Sequence, residues 1–274
     1  NNNKSYVYKN KNGSELTKSD SLALIKSYAI PPAWRDVKIY IKSKKIFATG
    51  YDVKGRLQYK YTREHDNKKS QEKFCNQLNF AKYIPKIKRD IDKSLKKKKL
   101  TREKLIALIV KIILICNFRI GTESMLKNNN SYGISTICKH QVSFKNNNAI
   151  IDFIGKKGVR NTCIIVDKEV NDILKTMYNS KTNREQLFNV VENGKKFNVG
   201  ILDVNAFLKR YNIGITTKDF RTWTANTLLL NYVIALPISD KTTHRKKTLK
   251  LIIEKVAVRL HHTPAVCKKR YLLN

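Results

Sequence analysis

Residues 141–166, QVSFKNNNAIIDFIGKKGVRNTCIIV, decide the reading of the fold. QVSFK and AIIDFI flank an Asn-rich turn at 146–148, and a tight turn, Gly155-Lys156-Lys157-Gly158, separates AIIDFI from VRNTCIIV. β-Branched and aromatic residues fill the stretches between turns, which predicts three short antiparallel strands. After them helical patterns dominate. Thr217 stands where a cap belongs for a helix through Phe220, Trp223 and Thr227. Leu249, Ile252, Ile253, Val256 and Leu260 recur at helical spacing, and Thr263-Pro264 sets a cap and a proline at the start of a last helix through Tyr271. Ahead of the sheet, a basic loop at Lys96–Lys99 leads to Thr101, which caps a strongly apolar helix through Phe118.

Further toward the N-terminus, Phe74, Leu78 and Ala81, then Ile84, Ile87 and Ile91, predict helix, with Pro85 starting or kinking a second segment. Residues 37–61, VKIYIKSKKIFATGYDVKGRLQYKY, alternate apolar and polar, with Gly50 and Gly55 as turn signals, and predict short antiparallel strands. The fold class is therefore α+β. A small β-rich N-terminal domain is expected over 1–69, and a larger, mainly α-helical domain with one small antiparallel sheet over 70–274.

The 274 residues include 56 Lys+Arg against 21 Asp+Glu, a net charge of +35. Lys far outnumbers Arg and Asn is abundant, as AT-rich coding would produce, so the sign of the charge carries more weight than its size. That sign disfavours an enzyme of small neutral metabolites and favours a polyanionic partner, nucleic acid first. A hydrophobic fraction of 41% and an aromatic fraction of 9% exclude a disordered basic tail. Five cysteines, odd in number and never spaced C-x-x-C, argue against a disulfide framework or a zinc ribbon and for a reducing compartment. The longest apolar run, Leu105–Cys116 with Lys111 inside it, is too short to span a bilayer, so no membrane association is expected. No signal-peptide pattern opens the sequence, and its first residues, Asn-Asn-Asn-Lys, lack an initiator Met, as processing or trimming would leave them. A soluble intracellular protein is expected.

There is no phosphate-loop motif, no G-x-G-x-x-G, no H-E-x-x-H and no paired-cysteine metal site, so no cofactor and no metal are expected. His261-His262 lacks the neighbouring Cys or carboxylate that would complete a metal shell. Phosphoryl chemistry, if present, falls to side chains. Arg119 follows the apolar helix, Lys156 tips the tight turn, Arg221 lies in the first turn of a helix, and His262 and Tyr271 bracket the last helix. Taken singly, each has an ordinary structural reading as a solvated cation, a backbone partner or a core aromatic.

Their surroundings are more specific. ICNFRIGTESMLKNNNSYGISTI (115–137) resembles the segment bearing the first catalytic arginine of the type IB DNA topoisomerases, in their bacterial, large-virus and poxvirus-like branch. The resemblance continues in order through IPPAWRDV (30–37), ATGYDVKGRLQYKY (48–61), IGKKGVRNT (154–162), TTKDFRTWTAN (216–226) and HHTPAVCKKRY (261–271). It implies the catalytic fold shared with tyrosine recombinases, and a tyrosine that attacks duplex DNA to leave a 3′-phosphotyrosyl bond and a free 5′-hydroxyl. The nicked duplex then swivels and is resealed without ATP.

By the same resemblance Tyr271 is the nucleophile, and Arg119 and Arg221 hold the non-bridging oxygens. His262 donates to another of those oxygens, Lys156 protonates the leaving oxygen, and Lys218 assists that step. Asn226 is a further neighbour of the site, grouped with the DNA-binding residues. Gln58, Tyr59 and Tyr61 match a strand that enters the major groove, with Lys54 and Arg56 as phosphate contacts. Ordinary sheet packing is the alternative for the two tyrosines. A monomer clamped around double-stranded DNA is implied, in a bacterial cytoplasm or at a viral replication site or virion. His261 departs from the family, which has Gly there, and Lys157 adds a second cation beside Lys156. A tyrosine recombinase would carry H-x-x-R where this chain has Lys218-Asp219-Phe220-Arg221. A non-catalytic basic DNA-packaging protein would need the charge but none of these blocks.

Overall fold

A computed structural model of the chain describes residues 7–212, 214–237 and 239–273. It divides into two compact units, Asn1–Lys73 and Phe74–Asn274. In the first, helix α1 (Ser19–Ser27) precedes three strands, β1 (Arg35–Ile39), β2 (Ile46–Tyr51) and β3 (Leu57–Tyr61), paired antiparallel in the order β1-β2-β3. Thr49 faces Tyr59 across β2 and β3, and Gly55 at φ +69° lets the chain reverse between them. Ile25, Phe47 and Ala48 form a small core, with Tyr28 stacked on Phe47 at 3.7 Å between ring centroids.

Thr62 accepts a hydrogen bond from His65 N at 3.2 Å and opens α2 (Arg63–Leu95). This is one helix where the sequence suggests two, and it starts earlier than expected. Pro85 lies inside it. The buried face is Phe80, Ile84, Ile87 and Ile91, whereas Phe74 and Leu78 are exposed. A helical proline costs about 3 kcal/mol. Each of those four apolar side chains gains about 1.5–3 kcal/mol on burial, so packing wins.

Next comes α3 (Arg102–Cys116), with Thr101 Oγ1 accepting from Lys104 N at 3.2 Å. It is buried nearly all round; of its two inward lysines, Lys104 donates to Lys97 O and Lys111 is paired with Asp92 at 2.7 Å and Asp167 at 3.4 Å. The helix ends at Cys116 and not Phe118, because Asn117 turns left-handed at φ +56°. After α4 (Glu123–Asn129) the expected sheet forms as β4 (Val142–Lys145), β5 (Asn148–Ile154) and β6 (Arg160–Ile165), antiparallel in that order. Ala149, Ile151 and Phe153 face the core. In α5 (Lys168–Asn179), buried Asn171 accepts from Ala149 N and donates to Ile165 O, both at 2.8 Å, fastening the helix to β5 and β6.

A second sheet, absent from the sequence reading, is the hairpin β7 (Asn189–Glu192) and β8 (Lys195–Asn198). Its turn is Asn193-Gly194, both at positive φ. The remaining helices are α6 (Ile201–Lys209), α7 (Thr217–Ile234), α8 (Thr242–Arg259) and α9 (Pro264–Arg270). Thr216, not Thr217, caps α7, and Asp219 Oδ2 receives both its N–H and its hydroxyl. Ala225, Ile252, Val256, Leu260, Cys267 and Leu272 make a separate core among the last three helices. The expectation of no disulfide is overturned. The end of α3 brings Cys116 within 5.6 Å (Cα–Cα) of Cys163 on β6, and the two are bonded. Among the described residues no helix is long and apolar enough to cross a membrane.

Candidate active site

Arg119 sits on a braced loop. After the left-handed Asn117, Phe118 is fully buried edge-on to Phe153, and the next residues run beside Gly133–Ser135. Ile134 N donates to Arg119 O and Ser135 N to Ile120 O, both at 2.9 Å. The approach is so close that a Cβ on Gly133 would lie 2.3 Å from Gly121 N. Two glycines are therefore required to hold Arg119 in place, a constraint the sequence shows only as two isolated Gly residues.

Arg221 faces the same site from the first turns of α7, with 3% of its surface exposed. Its Nε donates to the Tyr271 hydroxyl at 3.3 Å and its Nη2 to Leu260 O at 2.6 Å, while Nη1 is buried with no hydrogen-bond partner. Burial lowers its pKa from the ordinary arginine value, though Tyr271 opposes the shift. Tyr271 terminates α9, 7% exposed. Burial pushes its phenol up, and the charge and hydrogen bond of Arg221, joined by Arg119, outweigh that and leave it below the usual 10.0. A phenol so placed ionises more readily, as a nucleophile requires.

Thr263 caps α9 and Pro264 opens it, so His262 lands just ahead of the helix with its ring stacked on Tyr271, centroids 4.8 Å apart. Both His262 ring nitrogens are buried without hydrogen-bond partners. Burial first, then the charges of Arg221 and Arg119, push its pKa down to about 4, so the ring is neutral at pH 7. Asn226 on α7 fixes the segment around Tyr271: its Nδ2 donates to Tyr271 O and its Oδ1 accepts from Leu273 N, both at 2.9 Å.

Arg119, Lys218, Arg221 and Tyr271 line one cavity of about 230 Å³. Lys156 does not line it. Lys156 stands exposed on the single 3₁₀ turn between β5 and β6, beside Lys157 at φ +65°. Among the described residues, no cluster of His, Cys, Asp and Glu is arranged to hold a metal.

In the N-terminal unit, Asp52 organises the turn before β3. It accepts from Lys54 N and Arg56 N, binds the Arg56 guanidinium at 2.7 Å and takes a hydrogen bond from Gln58 Nε2 at 3.0 Å. Sequence reasoning passed over Asp52, although Asp three residues before Gly55 marks such a turn. Tyr59 and Tyr61 are not packed inside the sheet. They lie exposed on one face of β3, rings 6.4 Å apart, with Tyr61 stacked on His65.

Residues 59–272 match the family described as eukaryotic DNA topoisomerase I, catalytic core, and residues 5–52 match the bacterial DNA topoisomerase IB N-terminal domain. The chain is 31% identical to DNA topoisomerase 1B of Acanthamoeba polyphaga mimivirus, over 96% of its own length and 80% of the relative's. It is 25% identical to DNA topoisomerase 1 of rabbit fibroma virus (92% and 79% covered) and to DNA topoisomerase I of monkeypox virus (89% and 76% covered).

Proposed function

We infer that this chain, which belongs to the type IB DNA topoisomerase family, relaxes supercoiled double-stranded DNA through a transient bond to Tyr271. Tyr271 gives up its phenol proton to solvent and its oxygen attacks a backbone phosphorus, forming a 3′-phosphotyrosyl bond while the bond to the 5′-oxygen breaks. Negative charge builds on the non-bridging oxygens as this happens. Arg221 and Arg119 hold those oxygens, where a planar guanidinium fork suits phosphate better than a lysine. His262, neutral at pH 7 with burial as the main cause, donates one N–H to the same group. Lys156 delivers the proton to the departing 5′-oxygen, with Lys218 assisting. The duplex swivels about the uncut strand, and the 5′-hydroxyl attacks the phosphotyrosyl bond to reverse the sequence. The covalent link conserves the energy of the broken bond, so no nucleotide is consumed.

The protein acts as a monomer holding the duplex. β3 enters the major groove, Gln58, Tyr59 and Tyr61 meet base edges, and Lys54 and Arg56 meet phosphates. Asn226 serves Tyr271 rather than DNA, because its amide is committed on both sides to the backbone around the nucleophile.

The single observation behind this chemistry is the Arg221–Tyr271 pair, a buried guanidinium on the tyrosine hydroxyl with one Nη still unpartnered. Supercoiled plasmid should be relaxed in EDTA without nucleotide, and Tyr271→Phe should bind DNA yet form no protein–DNA adduct. A strict need for a metal or ATP, or an adduct on the Phe variant, would overturn the reading.

A further inference from the structure

We propose that His261 is a positioning residue for this reaction, its imidazole tying the turn that bears His262 to the loop that bears Arg119. The proposal builds on the role given to Tyr271 above. His261 adopts φ +52°, in the left-handed region that a glycine enters at no steric cost. The type IB resemblance expects Gly at this point, so a bulky side chain here needs its own reason. The side chain is in use. Nε2 lies 3.0 Å from Cys116 O, and the ring packs on Phe118 with centroids 5.3 Å apart. Cys116 is the last residue of α3, where a carbonyl has no helical N–H ahead of it. A carbonyl can only accept, so Nε2 carries the proton and donates.

Both ends of this link lead directly to reacting groups. On one side the next residue is His262, stacked on Tyr271. On the other, Cys116 is three residues from Arg119, with buried Phe118 between them, and its bond to Cys163 anchors it to β6. Leu260 O, just before His261, is held by Arg221 Nη2 at 2.6 Å. The 260–262 turn is thus gripped from α7 by Arg221 and from α3 through His261. Without the second grip, His262 and Arg119 would no longer share a fixed frame.

The test is single-turnover cleavage of a duplex, with adduct formation, DNA affinity and thermal melting followed together. His261→Gly removes the link and relaxes the backbone, so the fold should melt near the wild-type temperature. Cleavage should slow about tenfold or more, the scale of a small misplacement of reacting groups, with DNA affinity unchanged. His261→Gln, whose amide nitrogen reaches about where Nε2 stands, should recover most of the rate. Combined with His262→Ala, the Gly change should add little further loss, because the two act through one group. A Gly variant that cleaves at the wild-type rate, a Gln variant no better than Gly, or losses that multiply with His262→Ala would overturn the proposal. A wild-type protein that forms no adduct at Tyr271 would overturn the proposed function and this inference together. A normal wild-type adduct with an unaffected Gly variant would overturn this inference alone.

Discussion

Arg221 and Lys156 make a contrast at the scale of single residues: one buried against Tyr271, the other exposed on a turn. Their proposed tasks differ in kind, and one atom in the DNA separates them. Sulfur in place of the bridging 5′-oxygen is a better leaving group that needs no proton. Lys156→Ala should therefore cleave ordinary DNA ~10²–10⁴-fold slower and regain most of that loss on the sulfur-substituted strand. Arg221→Ala should lose ~10²–10³-fold on both substrates, since stabilising charge on the phosphate is needed either way. Rescue of Lys157→Ala instead of Lys156→Ala would move the acid one residue along. His262 bears on stability. Its folded pKa, about 4, lies below the ordinary 6.5, chiefly through burial. Between pH 6.5 and 4 the unfolded chain binds a proton that the fold refuses, so stability is intact above 6.5 and falls as pH drops through that window. His261, also lowered chiefly by burial, adds in the same direction. Melting temperature should fall over that range and fall less in His262→Phe; identical pH courses would exclude His262 as a source. The residues around Tyr271 were legible from their sequence blocks. The Asn226 clasp and the His261 link were not, because both depend on which backbone atoms meet across more than 40 residues.

Among the secondary-structure elements, the junction of α3 and β6 is where the sequence was least readable. Cys116 and Cys163 are 47 residues apart, and only the packed sheet shows that they meet. Closing a loop of that length in the unfolded chain is worth about 4 kcal/mol on the chain-entropy scale. Cys163→Ser, or reductant applied to the wild type, should lower the denaturant midpoint accordingly, and reductant should leave the variant unmoved. A wild-type midpoint insensitive to reductant would overturn this. Residues 141–166 were legible because turn residues and β-branched runs agree locally with the final sheet. The unbroken α2 was not, because Pro85 is a strong local stop signal and the burial that overrides it comes from elsewhere in the fold. The β7–β8 hairpin had its sign, Asn193-Gly194, but charged residues beside the turn obscured the short strands.

For the whole molecule, the +35 charge sets the dominant long-range force. If about six or more phosphates are neutralised, duplex affinity should drop ~10³-fold or more between about 50 and 200 mM salt. A shallow dependence, measured on a duplex without supercoils, would mean that few of these cations touch DNA. The proposed reaction would also put the molecule under force. In the proposed reaction, a strand joined to Tyr271 while the remaining duplex unwinds would pull on the protein at that one residue. Tyr271 follows a helix of only seven residues, and the segment beyond it is pinned by the Asn226 side chain. Besides running along the backbone into α9, that pull would reach α7, an eighteen-residue helix that also carries Arg221, through the two hydrogen bonds of the Asn226 amide. Part of the torque would thereby be borne by the same helix that presents the guanidinium, so the Tyr271 hydroxyl and Arg221 would be moved together and not apart.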